Sequence, residues 1–231
     1  MLQNIKEFYG NKLAASDGEI GHVEDFYFDD KTWAVRYLVA NTGTWLSGRQ
    51  VLLSPHAFGR WDRDMKSLLV NLTRKQIENS PSIETHRPVS RQYEEEYYRY
   101  YGWPAYWDGG GMWGIGEYPV VLPPPTKEEI EAHQHRRRDD KHLRSTLAVS
   151  GYHIQAVDGA IGRVTGFMVD DKSWAIRELV VEAGHWYSGK EVLISPSKIE
   201  RIGYDESKVF VNLTMADVQR TTIDDIVKAG A

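Results

Sequence analysis

The chain contains no cysteine. Disulfides, thiolate metal sites and cysteine nucleophiles are thereby excluded, and the composition is compatible with a reducing cytosol. No run of about 18 apolar residues occurs, so no transmembrane helix is expected. The opening Met-Leu-Gln-Asn-Ile-Lys-Glu-Phe lacks the basic region, apolar stretch and cleavage site of a signal peptide. An excess of positive charge is also missing. Lys and Arg number 28 against 33 Asp and Glu, a net charge of −5, which argues against broad contact with a nucleic-acid backbone. No Gly-rich phosphate loop and no Ser/His/Asp arrangement stands out. No catalytic group, cofactor or metal site is therefore expected, and the function is expected to be one of binding.

What is present is a duplication. With 231 residues, 41% apolar and 26% charged, the chain has an ordinary globular composition and room for two small domains. Gly43-Thr-Trp-Leu-Ser-Gly-Arg-Gln-Val-Leu-Leu-Ser-Pro55 recurs as Gly184-His-Trp-Tyr-Ser-Gly-Lys-Glu-Val-Leu-Ile-Ser-Pro196, an offset of 141. The same register runs without a gap from Gly10/Gly151 to Thr73/Thr214, with nearly half the positions identical. Such self-similarity means two copies of one structural unit, expected to superpose over 10–73 and 151–214. Each copy is small for an independent core, so the two are expected to support each other or an oligomer.

Within a copy, Asp17-Gly18 and Asp158-Gly159 mark tight turns. The strand Ile20–Phe28, matched by Ile161–Val169, has broken alternation. Val23 falls on one parity and Phe26 and Phe28 on the other, as do Val164, then Phe167 and Val169. An extra residue would bring all three inside, which predicts a β-bulge near Asp25 and Gly166. Asp29-Asp30-Lys31 and Asp170-Asp171-Lys172 are turn signals without the spaced ligand series of a calcium loop. Strands are then expected over Trp33–Ala40 and Trp174–Val181, with an inward face that the pattern does not decide. Gly43–Gly48 is a hairpin connection, Val51–Leu53 a short strand ended by Ser54-Pro55, and Leu68–Leu72 an alternating strand. Thr73 and Gln76 have capping-box spacing, with Thr214 and Asp217 a weaker counterpart. Five or six short strands per copy, with turn signals about every 8–12 residues, predict a mainly β fold of two small barrels or sandwiches.

Between the copies the composition changes. The expected division is 1–78, a linker over 79–145, and 146–231. The linker has an aromatic segment (91–114), a Pro-rich segment (119–125) and a charged helix (126–140). Tyr93, Tyr97 and Tyr100 or Tyr101 share a helical face, with Glu94 to Glu96 expected largely off it. Gly109-Gly110-Gly111 is expected to stop any order. His133, His135 and His142 lack the i, i+4 spacing of a helical metal pair, and Arg136-Arg137-Arg138 is balanced by Asp139-Asp140, so both describe a solvated face.

The repeated pattern reads Asp-Gly-x-Ile-Gly, Phe…Asp-Asp, Trp-Ala-x-Arg-x-Leu-Val, Gly-x-Trp-x-Ser-Gly-x-x-Val-Leu and Ser-Pro. It resembles the PRC-barrel family. Asp17-Gly18-Glu19-Ile20-Gly21 and Asp158-Gly159-Ala160-Ile161-Gly162 carry the opening of the motif. Trp33-Ala34-Val35-Arg36-Tyr37-Leu38-Val39 and Trp174-Ala175-Ile176-Arg177-Glu178-Leu179-Val180 carry its centre. The resemblance implies two small β-barrels, each of a kind that docks onto larger assemblies. The family is named for the cytoplasmic domain of the photosynthetic reaction-centre H subunit, and it also forms the C-terminal half of a bacterial ribosome-maturation factor. This chain departs from the first in lacking a transmembrane helix and from the second in lacking its N-terminal domain. It looks instead like the stand-alone tandem PRC-barrel proteins of bacteria.

Candidate partner-binding residues are Trp45, Trp186, Tyr97, Tyr101, Trp103, Trp107, Arg36 and Arg177. Trp45 and Trp186 are either aromatic anchors for a partner or caps on their own barrels, the second being favoured. Arg36 and Arg177 interrupt apolar strands and either pair with an acid structurally, again favoured, or receive a partner carboxylate. The aromatic linker is either a docking patch or, as favoured, glue packed over the barrels. The expected function is a non-catalytic cytoplasmic adaptor. Its partner would be a protein complex, membrane-associated at the inner face and by resemblance photosynthetic or otherwise electron-transferring. The alternatives are a ribosome- or RNA-processing-associated factor and a small-ligand protein with a site between the barrels.

Overall fold

The computed structural model describes residues 1–81, 89, 91–107, 109–114, 116–120, 143–184 and 190–220. Residues 121–125 of the Pro-rich segment, the charged helix with its arginine run, the three histidines, and Trp186 lie outside the described residues.

The fold is mainly β, and the two copies have matching elements. The first contains β1 (Leu2–Asn4), β2 (Lys12–Ala15), β3 (Gly18–Asp29), β4 (Ala34–Asn41), β5 (Gln50–Leu53), β6 (Phe58–Asp62) and β7 (Ser67–Val70). The second contains β8 (Leu143–Ser145), β9 (His153–Gln155), β10 (Ala160–Asp170), β11 (Ile176–Ala183), β12 (Glu191–Ile194), β13 (Ile199–Gly203) and β14 (Lys208–Val211). Among the described residues they are accompanied by the α-helices α1 (Arg74–Glu78), α2 (Arg91–Tyr101), α3 (Thr146–Val149) and α4 (Met215–Arg220). The offset seen in the sequence carries β5, β6 and β7 onto β12, β13 and β14 without remainder. It also carries β1 onto β8, where sequence similarity has already faded.

Two seven-stranded sheets result, with the same order: β5-β4-β3-β2-β7-β6 in one and β12-β11-β10-β9-β14-β13 in the other. All neighbours along these paths are antiparallel except β2 with β7 and β9 with β14. The seventh strand of each sheet comes from the other repeat. β1 pairs with β10 (Leu2 opposite Asp170), and β8 pairs with β3. The compact units accordingly do not follow the sequence halves. One holds Met1–Glu7 with 144–171 and 175–231; the other holds Phe8–Leu143 with Lys172–Trp174. They are called below the second-repeat unit and the first-repeat unit.

The bulges fall where broken alternation predicts them. The β3–β4 register shifts between Val23 and Asp25, and the β10–β11 register between Val164 and Gly166. Val23, Phe26 and Phe28 are all buried, as are Val164, Phe167 and Val169. Two further irregularities in the pairings of β3 and β10 were not expected. One leaves Ile20 and Ile161 without a partner on β2 and β9. The other leaves Arg36 and Arg177 as extra residues on β4 and β11. Each extra residue resets the parity, so long strands coil while keeping their apolar side chains inward.

The expected strands over Trp33–Ala40 and Trp174–Val181 start late, at Ala34 and Ile176. Trp33 and Trp174 instead close a turn, with φ of 56° and 55°. The Asp29 carboxylate accepts the N–H groups of Lys31 and Thr32 and its carbonyl accepts that of Trp33, which winds the chain into that turn. Within the first-repeat unit Trp174 is buried against Phe8, Phe26 and Phe58. The favourable burial of these four rings holds the strained tryptophan in place. The Thr73–Gln76 capping box forms as expected, and Thr214 and Asp217 form the same reciprocal pair.

The Asp-Gly-x-Ile-Gly motif has a steric basis in its last glycine. A Cβ on Gly21, where φ is 128°, would overlap the Asn41 carbonyl oxygen; one on Gly162 would overlap that of Glu182. Both obstacles are backbone and cannot rotate away. Gly21→Ala and Gly162→Ala are each expected to cost about 3 kcal/mol, measured as the loss of unfolding free energy in urea, whereas Gly43→Ala, with open space at its Cβ, is expected to cost about 1 kcal/mol from its φ alone.

Candidate functional site

The polar chemistry of the first-repeat unit gathers where the aromatic linker crosses β4 and β5. β4 is buried along Ala34–Ala40 on both faces, which explains why its pattern gave no inward side. One face meets the core and the other meets the linker.

Arg36, the extra residue of the bulge, is 1% exposed. Its guanidinium donates to the Met112 carbonyl at 2.7 Å and to the Thr32 hydroxyl at 2.9 Å, and lies 3.6 Å from Asp29. The Tyr106 ring covers it at 3.8 Å and the Trp113 ring at 4.7 Å. Arg36 is thus met by an acid, two oxygen acceptors and two π faces, which compensate its two terminal nitrogens, while Nε is buried without a hydrogen-bond partner among the described residues. Met112 and Trp113 stand in the segment expected to be disordered by its glycines. That expectation is corrected: Gly111 and Gly114 exchange backbone hydrogen bonds, and the Trp113 N–H bonds the Gly116 carbonyl. Small residues here permit a tight turn that drives the buried Trp113 inward, where its indole N–H donates to the Ser173 carbonyl.

Glu94 is the second centre, and its place corrects the expectation that it lies off the packed face of α2. It is fully buried, and one carboxylate oxygen accepts the Tyr37 phenol at 3.0 Å and the Tyr106 phenol at 2.6 Å. Burial, with the Glu94 charge second, raises the Tyr37 phenol well above its ordinary value, so it stays a donor. An ionised carboxylate is an acceptor only, and two phenols suit it.

Tyr97 supplies the third contact. Its hydroxyl accepts the Ser54 N–H and donates to the Leu52 carbonyl, both at 3.0 Å. These backbone groups lie at the outer edge of β5, so a side chain satisfies an edge that would otherwise be open. His56 completes the cluster. It is 6% exposed, stacks on Trp103 at 5.4 Å, meets Trp113 and Tyr98 edge-on, and its Nδ1 lies 3.0 Å from the Ser54 hydroxyl. Nε2 is buried without a hydrogen-bond partner among the described residues. Burial, reinforced by the Arg36 guanidinium, pushes the imidazole down to about 4.

Residues 4–75 match the family model of the PRC-barrel domain. The first repeat is a PRC-barrel domain. No curated protein matches the chain.

The structure distributes the candidate residues unevenly about this PRC-barrel domain. Tyr97 and Trp103 are linker residues buried against the domain rather than displayed, and Tyr101 stacks on Trp103 at 4.5 Å. Trp107 is half-buried and meets Tyr98 and Tyr106. Arg36 has its structural partners. Trp45 is half-buried on the hairpin loop of the domain, with the Arg74 guanidinium 4.7 Å from its ring. Arg177 is exposed on β11. Sequence reasoning missed Glu94, His56, Tyr106 and Trp113. The one available signal was a Glu within an aromatic helix, and a helical wheel that placed it at the margin hid it.

Two outcomes follow from this geometry. Glu94→Ala strands two buried phenols and is expected to destabilise the first-repeat unit by about 3 kcal/mol, read by urea unfolding. His56 is neutral when folded and takes a proton when unfolded below its ordinary 6.5. Stability is therefore complete above pH ~6.5 and falls by about 3 kcal/mol down to the folded value near 4. Unfolding free energies of the protein and of His56→Gln at steps across that window check this, the variant showing the shallower slope.

Proposed function

We propose that the protein is a non-catalytic adaptor that uses PRC-type units to bind a larger protein complex. The observation that carries this is the inward turn of the reactive groups. Arg36, His56 and Glu94 are 1%, 6% and 0% exposed, and each is engaged by the linker or the strand beneath it. Groups held this way build a rigid scaffold and have little freedom to meet a substrate. The PRC-barrel domain is by itself consistent with a protein-interaction or assembly module.

The partner we propose is a membrane-associated complex, photosynthetic or otherwise electron-transferring, approached from its cytoplasmic side. This part rests on the resemblance of the paired motifs. No helix among the described residues is long and apolar enough to cross a membrane, so attachment would run through protein contacts.

Affinity capture of the tagged chain from its own host tests the proposal, with membrane and ribosomal fractions separated and nuclease added to half. An intact membrane complex, recovered regardless of nuclease, is the expected result. Recovery with ribosomal particles, or of the tagged chain alone, would overturn it.

A further inference from the structure

The duplicated fold allows one repeat to show what the other is missing. In the first-repeat unit the linker satisfies three sets of groups: the guanidinium of Arg36, the phenol of Tyr37 and the outer edge of β5 at Leu52 and Ser54. The equivalent positions in the second-repeat unit are Arg177, Glu178, Leu193 and Ser195.

None of these has the corresponding partner among the described residues. Arg177 is exposed, and it makes no ion pair, hydrogen bond or ring contact among the described residues. Glu178 is half-buried, with no hydrogen-bond or ion-pair partner among the described residues. Its burial raises the carboxyl above its ordinary value, the mark of a charge partly desolvated without compensation. The Ala183 N–H bonds the Lys190 carbonyl, which fixes the β11–β12 register. In that register the Leu193 carbonyl and the Ser195 N–H turn away from β11, as their counterparts Leu52 and Ser54 turn toward Tyr97. The turn after the strand differs in the same sense. Ser54, Pro55, His56 and Ala57 are buried, whereas Ser195 and Pro196 are partly open and Ser197 and Lys198 are exposed.

We propose that Arg177, Glu178 and the β12 edge at Leu193 and Ser195 form a docking site for a helical segment of another protein. The helix would present tyrosine or tryptophan side chains, as α2 does to the first repeat. A phenol would bridge Leu193 and Ser195, and an aromatic face would cover Arg177. Opposite Glu178 it would carry a cation. Tyr37 donates to Glu94; with an acid in the place of Tyr37, the helix must supply the donor, and Lys or Arg does so with charge assistance. The proposal rests on the adaptor function and specifies its surface.

A labelled peptide of residues 91–107 carrying Glu94→Lys is the probe, titrated against the full chain by fluorescence anisotropy. Saturable one-to-one binding is expected, weakened about ten-fold in Arg177→Ala or Glu178→Gln. Both variants change exposed or half-exposed groups and should leave the unfolding curve in place. The charge swap gives the sharper outcome: Glu178→Lys should reverse the preference and favour the peptide with native Glu94. Absence of saturable binding, or binding indifferent to Glu178, would overturn the site. Self-association of the chain that is lost in Glu178→Gln would also overturn it, by making the occupant a second copy. Capture from the host separates this from the adaptor function. A complex retained by Glu178→Gln removes the site alone, and an empty capture removes the adaptor function while the peptide titration still reports on the site.

Discussion

A guanidinium cannot lie uncompensated inside a protein. The effective cost of stripping water from such a charge is several kcal/mol. Arg36 is placed inside by a bulge that inserts it as an extra residue between Val35 and Tyr37, and much of the first-repeat unit can be understood as the response. Asp29 approaches from the preceding turn, the Thr32 hydroxyl oxygen accepts from the guanidinium, and Met112, Tyr106 and Trp113 come from the linker. Bringing Tyr106 over the guanidinium also brings its phenol to Glu94, and bringing Glu94 inward positions α2 so that Tyr97 reaches the edge of β5. The linker is thus held by polar contacts of fixed geometry, with aromatic packing filling the space between them. Packing alone would tolerate several registers of a tyrosine-rich helix; two hydrogen bonds on one carboxylate oxygen tolerate few.

The duplication was legible because structure and sequence share a period. Identical turn residues recur at one offset, and the bulge near Asp25 could be placed because a strand with Val23, Phe26 and Phe28 all inside needs an extra residue. The Arg36 bulge was not legible. Its strand is apolar on both parities, so no break in alternation marks where the register slips. The exchange of β1 and β8 was hidden for a different reason. Leu2–Asn4 and Leu143–Ser145 are too short to carry a pattern, and strand partners distant in the chain leave no local trace.

The linker was half legible. Its aromatics announced a helix with one apolar face, and α2 spans Arg91–Tyr101 as that periodicity implies. Its destination depended on Glu94, and a carboxylate at the margin of a helical face is ordinarily solvated. Only the phenols that meet it in three dimensions make its burial favourable, and one of them, Tyr37, lies 57 positions away. The glycine run misled in the same manner. Glycine favours disorder where nothing rewards a turn, and tight turns where a large side chain is buried beyond it. Trp113 supplies that reward.

The two repeats then differ in the residue that decides what they can bind. The arginine is kept at the bulge in both, but its neighbour is Tyr37 in one and Glu178 in the other. A tyrosine offers a donor to a carboxylate that arrives buried; a glutamate repels that same carboxylate and pulls in a cation. The linker helix is therefore suited to the first repeat and mismatched to the second, where Glu178 would face Glu94 at the distance of a hydrogen bond. One substitution next to a retained arginine disfavours a second segment of the same charge pattern, and among the described residues none lies on Arg177 or Glu178. The surface left at Arg177 keeps the geometry of a covered site and inverts the charge it selects.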